Sequence, residues 1–136
     1  MKENLIHYRT CVCNINYHMV WSVKYRRKIL SAEVEAYLQE LVQEIAEDKG
    51  FTVHLFECEE GDHVHCFVSA PPKLSITAIM KYLKGISGRK LFERFPEIRN
   101  QLWKGELWNH SYYVETVGSV SEENIRRYIE HQSKAY

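Results

Sequence analysis

Apolar and polar positions alternate in part over residues 11–23 (CVCNINYHMVWSV), a stretch rich in β-formers, and the pattern predicts a long strand. The period then changes. Val34, Tyr37, Leu38, Leu41, Val42 and Ile45 recur at helical spacing, so residues 31–49 form an amphipathic helix with Ser31 as N-cap and Gly50 just past its end. Residues 51–58 (FTVHLFEC) and 63–69 (HVHCFVS) read as two strands. Glu59, Glu60, Gly61 and Asp62 between them are turn material, so the two form an antiparallel hairpin. Pro71-Pro72 stops the second strand. Ser75 caps a helix carrying Ile76, Ile79, Met80 and Leu83, which Gly85 and Gly88 interrupt; a further helical piece runs to about Phe95, ahead of Pro96. Residues 107–117 (LWNHSYYVETV) form a last strand that ends at Gly118, and Ser121 caps a final helix with Glu122 and Glu123 in its first turn.

The order strand, helix, strand, strand, helix, strand, helix predicts an α+β fold. Its first six elements are the ferredoxin-like βαββαβ pattern, an antiparallel sheet covered on one face by two helices, and the seventh is an added C-terminal helix. A length of 136 residues fits one domain, 1–136, with no linker or repeat dividing it. With 45% hydrophobic and 12% aromatic residues, intrinsic disorder is excluded. No apolar run approaches the roughly 18 residues of a membrane helix, and residues 1–10 lack the apolar stretch of a signal peptide. The expectation is a soluble cytoplasmic protein with no membrane partner. The four cysteines lack the spacing of a secreted scaffold; Cys11, Cys13 and Cys66 read as small apolar residues on strands.

Lys plus Arg and Asp plus Glu number 18 each, so the total charge says nothing about partners. The distribution does. Residues 24–28 (KYRRK) carry four cations and no anion, residues 31–48 hold six acids and no base, and residues 81–104 hold seven bases against Glu93 and Glu97. A neutral chain segregated in this way can present a basic face to an anion, although solvated helix faces would produce the same pattern.

Two features resist a purely structural explanation. In His63-Val64-His65, residues two apart on a strand share a face, so the two imidazoles project side by side while Val64 points into the core. That spacing lets both bind one metal ion; solvated or hydrogen-bonded histidines are the alternative. On the last helix, Ile125, Tyr128, Ile129 and Gln132 share a face. The isoleucines are core, and Tyr128 could be core as well. Gln132 is the anomaly, because an amide on the buried side needs partners, and a metal could take its carbonyl oxygen.

HVH on the third strand, followed near the C-terminus by a helical Tyr-x-x-x-Gln, resembles the single-tyrosine HUH transposases of small bacterial insertion sequences, named for histidine–hydrophobic–histidine. Val20-Trp21-Ser22-Val23-Lys24-Tyr25-Arg26, Lys84-Gly85-Ile86-Ser87 and Tyr113-Val114-Glu115-Thr116-Val117-Gly118 agree with it, and the likeness covers nearly the whole chain. The resemblance implies Tyr128 as the nucleophile and His63, His65 and Gln132 as ligands of Mg²⁺ or Mn²⁺. All three are neutral donors, which would leave the ion its full charge. It implies as partners single-stranded DNA hairpins at the ends of the element, and a homodimer in which the tyrosine helix of one subunit serves the histidines of the other. Lys24, Arg26, Arg27, Lys28, Lys81, Lys84, Arg89 and Lys90 are then natural phosphate contacts.

Two rivals stand beside this expectation. A replication-initiator or relaxase-type nickase shares the chemistry but usually carries extra domains or a third histidine. A noncatalytic single-strand binder would stack bases on Tyr17, Trp21, Tyr112 and Tyr113 and would leave the histidines and Gln132 without a role.

Overall fold

A computed structural model of the chain describes residues 5–102 and 105–118. Seven elements form its frame: strand β3 (Asn16–Ser22), helix α1 (Ala32–Lys49), strands β4 (Thr52–Glu59) and β5 (His63–Ser69), helix α2 (Ile76–Arg94), the short helix α3 (Pro96–Arg99) and strand β6 (Tyr113–Val117). A small antiparallel hairpin of β1 (Ile6–His7) and β2 (Val12–Cys13) precedes them. The main sheet has the order β4-β5-β3-β6 with every neighbour antiparallel. This is the ferredoxin-like arrangement expected from the element order. The final helix expected after Ser121 lies outside the described residues.

Helix α1 starts where its cap dictates: the Ser31 hydroxyl accepts a hydrogen bond from the Val34 N–H at 3.3 Å. It ends at Gly50, whose φ of 84° is the left-handed conformation that a glycine C-cap supplies without strain. Val34, Leu38, Leu41, Val42 and Ile45 from α1 and Ile79, Met80, Leu83 and Leu91 from α2 pack on Met19, Trp21, Val64, Cys66 and Val68 of the sheet. One sheet face is therefore the floor of the core.

Three boundaries differ from the sequence expectation. The first strand is shorter than 11–23. Its start splits off as β2, and its end gives way to a 3₁₀ turn over Lys24–Arg26 in which Tyr25 and Arg26 both have positive φ. Helix α2 runs unbroken through Gly85 and Gly88. Each glycine costs a helix about 1 kcal/mol, and the buried stripe of Ile79, Met80, Leu83, Ser87 and Leu91 outweighs that cost. The last strand covers only Tyr113–Val117: residues 107–109 meet the end of β3 in one isolated antiparallel bridge, Val23 to Trp108, with the Lys24 N–H donating to the Leu107 carbonyl and the Asn109 N–H to the Ser22 carbonyl, and the Lys84 ammonium then holds the carbonyls of Asn109 and His110. All four cysteines are unpaired thiols, and burial pushes the Cys66 thiol pKa well up, as suits a core residue.

Candidate active site

The paired histidines sit on the second face of the sheet. Along β5, Val64, Cys66 and Val68 point into the core, so His63 and His65 must point away from it. Their ring centroids are 5.3 Å apart. Neither ring is solvated: His65 is fully buried and His63 nearly so.

The hairpin brings a third group to them. Glu59 is not turn material; it is the last residue of β4 and stands opposite His63 in the register. The turn proper is Glu60-Gly61-Asp62, with left-handed backbone at Glu60 (55°) and Gly61 (71°). Closing the hairpin there places Glu59 Oε2 3.3 Å from the Nε2 atoms of both His63 and His65. On the far side of His63, Asp62 Oδ1 lies 2.7 Å from Nδ1. On the far side of His65, His18 Nε2 lies 3.0 Å from Nδ1.

This arrangement has a chemical consequence. A neutral imidazole has one N–H, so His63 can donate to Asp62 or to Glu59 but not to both. The second contact sets a lone pair against a carboxylate and calls for a cation, either a second ring proton or a metal ion. Two imidazole nitrogens and one carboxylate oxygen, all within 4.8 Å of one another, form a donor set that suits a divalent ion such as Mn²⁺, with the oxygen also suiting Mg²⁺. The residues present thus fit the metal that the resemblance implies. They add one anionic donor to the neutral set expected.

Burial lowers the pKa of His65, with Glu59 pulling the other way and His63 adding to the fall. Burial and then His65 hold His18 down at about 3. Burial thus disfavours the charged form of both rings. Beside His63 opens a cavity of about 340 Å³ whose lining includes Ser22, Arg26, Glu59, Tyr112 and Tyr113. The Arg26 guanidinium reaches it from the strained turn after β3 and lies 3.7 Å from Asp62 Oδ1.

The other expected site residues divide. Tyr128 and Gln132 lie outside the described residues. Arg26, Arg27, Lys28, Lys81, Arg89 and Lys90 are exposed. Lys24 and Lys84 are engaged within the fold: the Lys24 ammonium lies 2.6 Å from Glu106 Oε2, and the half-buried Lys84, its pKa lowered by burial, holds the 109–110 carbonyls. Among the aromatics a base binder would need, Trp21 is buried against Phe56 and Trp108, whereas Tyr112 and Tyr113 are exposed. Sequence reasoning missed Glu59, Asp62 and His18. Counting back across the hairpin from Gly61 would have found Glu59, since it is as far before the turn as His63 is after it.

A ferredoxin-like sheet with HVH on the face turned away from the helices fits the resemblance read from the sequence, and the comparisons agree. The model of the family described as "Transposase IS200 like" matches residues 11–132. The chain belongs to this IS200-like transposase family, and it is a transposase. It is 40% identical over 124 residues to the ISDra2 transposase TnpA of Deinococcus radiodurans, covering 91% of this chain and 88% of that protein. It is 35% identical over 119 residues to the transposase for insertion sequence element IS200 of Salmonella typhimurium, covering 88% of this chain and 77% of that one. A crystal structure of a Deinococcus radiodurans R1 protein assigned as a transposase superposes with a TM-score of 0.75 at 36% identity, over 93% of this chain and 97% of that chain. A REP-associated tyrosine transposase bound to a REP hairpin shares the fold, with a TM-score of 0.56 at 13% identity, over 90% of this chain and 67% of that chain.

Proposed function

We propose that this transposase cleaves and rejoins single-stranded DNA at the ends of its insertion sequence through a covalent 5′-phosphotyrosine on Tyr128. The observation that carries the reading is the convergence of His63 and His65 Nε2 on one carboxylate beside a cavity that Arg26 also lines. His63, His65 and Gln132 would hold Mg²⁺ or Mn²⁺, with Glu59 in reach of the same position. When bound, the cation supplies Lewis-acid polarisation of the scissile phosphate. The Tyr128 hydroxyl attacks phosphorus and loses its proton; the bond to the 3′ oxygen breaks, and that oxygen takes up a proton as a free 3′ hydroxyl. The phosphodiester energy is kept in the phosphotyrosine. Attack by another 3′ hydroxyl then restores the tyrosine and rejoins DNA without ATP.

The REP hairpin on a protein of the same fold supports hairpin DNA as the ligand class. Exposed Arg26, Arg27, Lys28, Lys81, Arg89 and Lys90 supply phosphate contacts. The family resemblance supports a homodimer in which Tyr128 and Gln132 of one subunit complete the histidine site of the other, with the one domain 1–136 carrying the whole activity.

The test uses labelled single-stranded element ends with Mg²⁺ or with a chelator. The expected product is a protein–oligonucleotide adduct that survives SDS, requires the metal, and disappears in Tyr128→Phe while hairpin binding persists. An adduct that forms equally in Tyr128→Phe removes the nucleophile assignment. In the same assay, a mixture of Tyr128→Phe chains with His63→Ala/His65→Ala chains should regain the adduct. If it does not, with subunit exchange shown separately, the site is assembled within one chain.

A further inference from the structure

We propose that His18 is a positioning residue for the metal site, accepting the Nδ1 proton of His65 and so holding that ring in the tautomer whose Nε2 is free to ligate. The inference rests on the reading above that His65 holds a metal, and it concerns a residue outside that reaction's ligand set.

Each ring nitrogen of His65 faces a polar neighbour. Its Nε2 faces Glu59 Oε2 at 3.3 Å, and its Nδ1 faces His18 Nε2 at 3.0 Å. A neutral ring has one proton to place. On Nε2 the proton would go to Glu59, and the nitrogen that faces the other donors would have no lone pair to offer. On Nδ1 it goes to His18, and Nε2 is left open toward the position that His63 and Glu59 share. Glu59 and His18 thus draw the same proton to opposite ends of the ring. A metal ion can use Nε2 when the proton lies on Nδ1, toward His18.

Packing fixes the position of the His18 ring. It is fully buried, and its ring stacks on His65 at 12° between planes and on Phe67 at 14°, with centroid distances of 5.2 and 4.7 Å. It comes from β3, where it stands opposite Phe67, one same-face position along from His65. His63 shows the same design with a different partner: Asp62 Oδ1 lies 2.7 Å from its Nδ1. Metal-ligating histidines generally donate their other N–H to such a group, and loss of that partner typically costs 10–100-fold in metal affinity.

The experiment measures Mn²⁺ binding to the full-length protein by EPR titration for wild type, His18→Phe, His18→Gln and His63→Ala. His18→Phe keeps an aromatic ring on Phe67 and loses the acceptor; His18→Gln can return a carbonyl oxygen where Nε2 stood. The expected result is a roughly 10–100-fold loss of affinity in His18→Phe, with substantial recovery in His18→Gln and both variants folded by circular dichroism. Wild-type affinity in folded His18→Phe overturns the role of His18 while leaving the metal reading intact. Failure of the wild type itself to bind, or binding untouched by His63→Ala, overturns both. Should His18→Phe not fold, long-range ¹H–¹⁵N spectra of the wild type with Mg²⁺ decide: the His65 proton on Nδ1 supports the proposal, and a proton on Nε2 overturns it.

Discussion

On β3, Met19 and Trp21 point into the helices while His18 points the other way; on β5, Val64 and Cys66 do the first while His63 and His65 do the second. Both faces of these central strands are buried, and all seven residues of β5 are inaccessible. Burial therefore does not distinguish the faces. What distinguishes them is what burial costs. The helix-covered face gains from removing apolar area from water and holds few polar groups, among them Ser87, whose hydroxyl oxygen accepts from Trp108 Nε1. The other face buries imidazoles, carboxylates and amides, and each must be paired or carry a cation. Asn16 and Ser69 show the pairing at one end, where Ser69 Oγ donates to Asn16 Oδ1 at 2.5 Å and meets Nε2 of the exposed His54 at 2.6 Å. At the other end His63 and His65 meet Asp62, Glu59 and His18.

The comparison can be broken most sharply with one substitution on each face. Trp21→Ala should lower stability by about 3–5 kcal/mol, read as a shift of the urea midpoint, because it empties the space against Phe56 and Trp108. His65→Ala should lose metal binding and cleavage together at a much smaller stability cost. If the two variants lose stability equally, the histidine face is as much core as the other and the division is wrong.

A pH series is the next test. In the metal-free protein His18 is held at about 3 by burial and His65, against an ordinary value of 6.5, and burial lowers His65 and His54 as well. Between those values the unfolded chain binds more protons than the folded one, so stability rises with pH. It should be fully present above pH 6.5 and fall as the pH drops toward 3. Urea midpoints at several pH values with chelator present measure this, and His18→Phe should flatten the dependence. A midpoint that improves on acidification would mean that these rings are charged in the fold.

The smallest effects concern the surface. Neutralising exposed Arg27, Lys28, Lys81, Arg89 or Lys90 should each reduce the slope of log affinity against log salt by about 1, with little change in stability. Lys24→Ala and Lys84→Ala should instead act on the fold, since one pairs with Glu106 and the other anchors residues 109–110. Equal salt slopes for all seven variants would place the DNA on another surface.

Local pattern was enough to place most of the described elements and one face of each. Helical spacing from Val34 to Ile45, the serine caps, and the alternation around Val64 are local patterns, and a chain has little choice but to bury them together. HVH on one strand put two imidazoles side by side for the same reason. What surrounds those imidazoles was decided only in three dimensions. Strand pairing set Glu59 against His63 and brought His18, 47 positions away along the chain, to His65 Nδ1. The continuity of α2 through two glycines and the diversion of residues 107–112 from the last strand were decided there as well, by packing against Leu83 and Leu91 and by the Lys84 ammonium. A periodicity reports which side of an element is apolar. Which buried polar groups meet across strands depends on register, and register is a property of the assembled sheet.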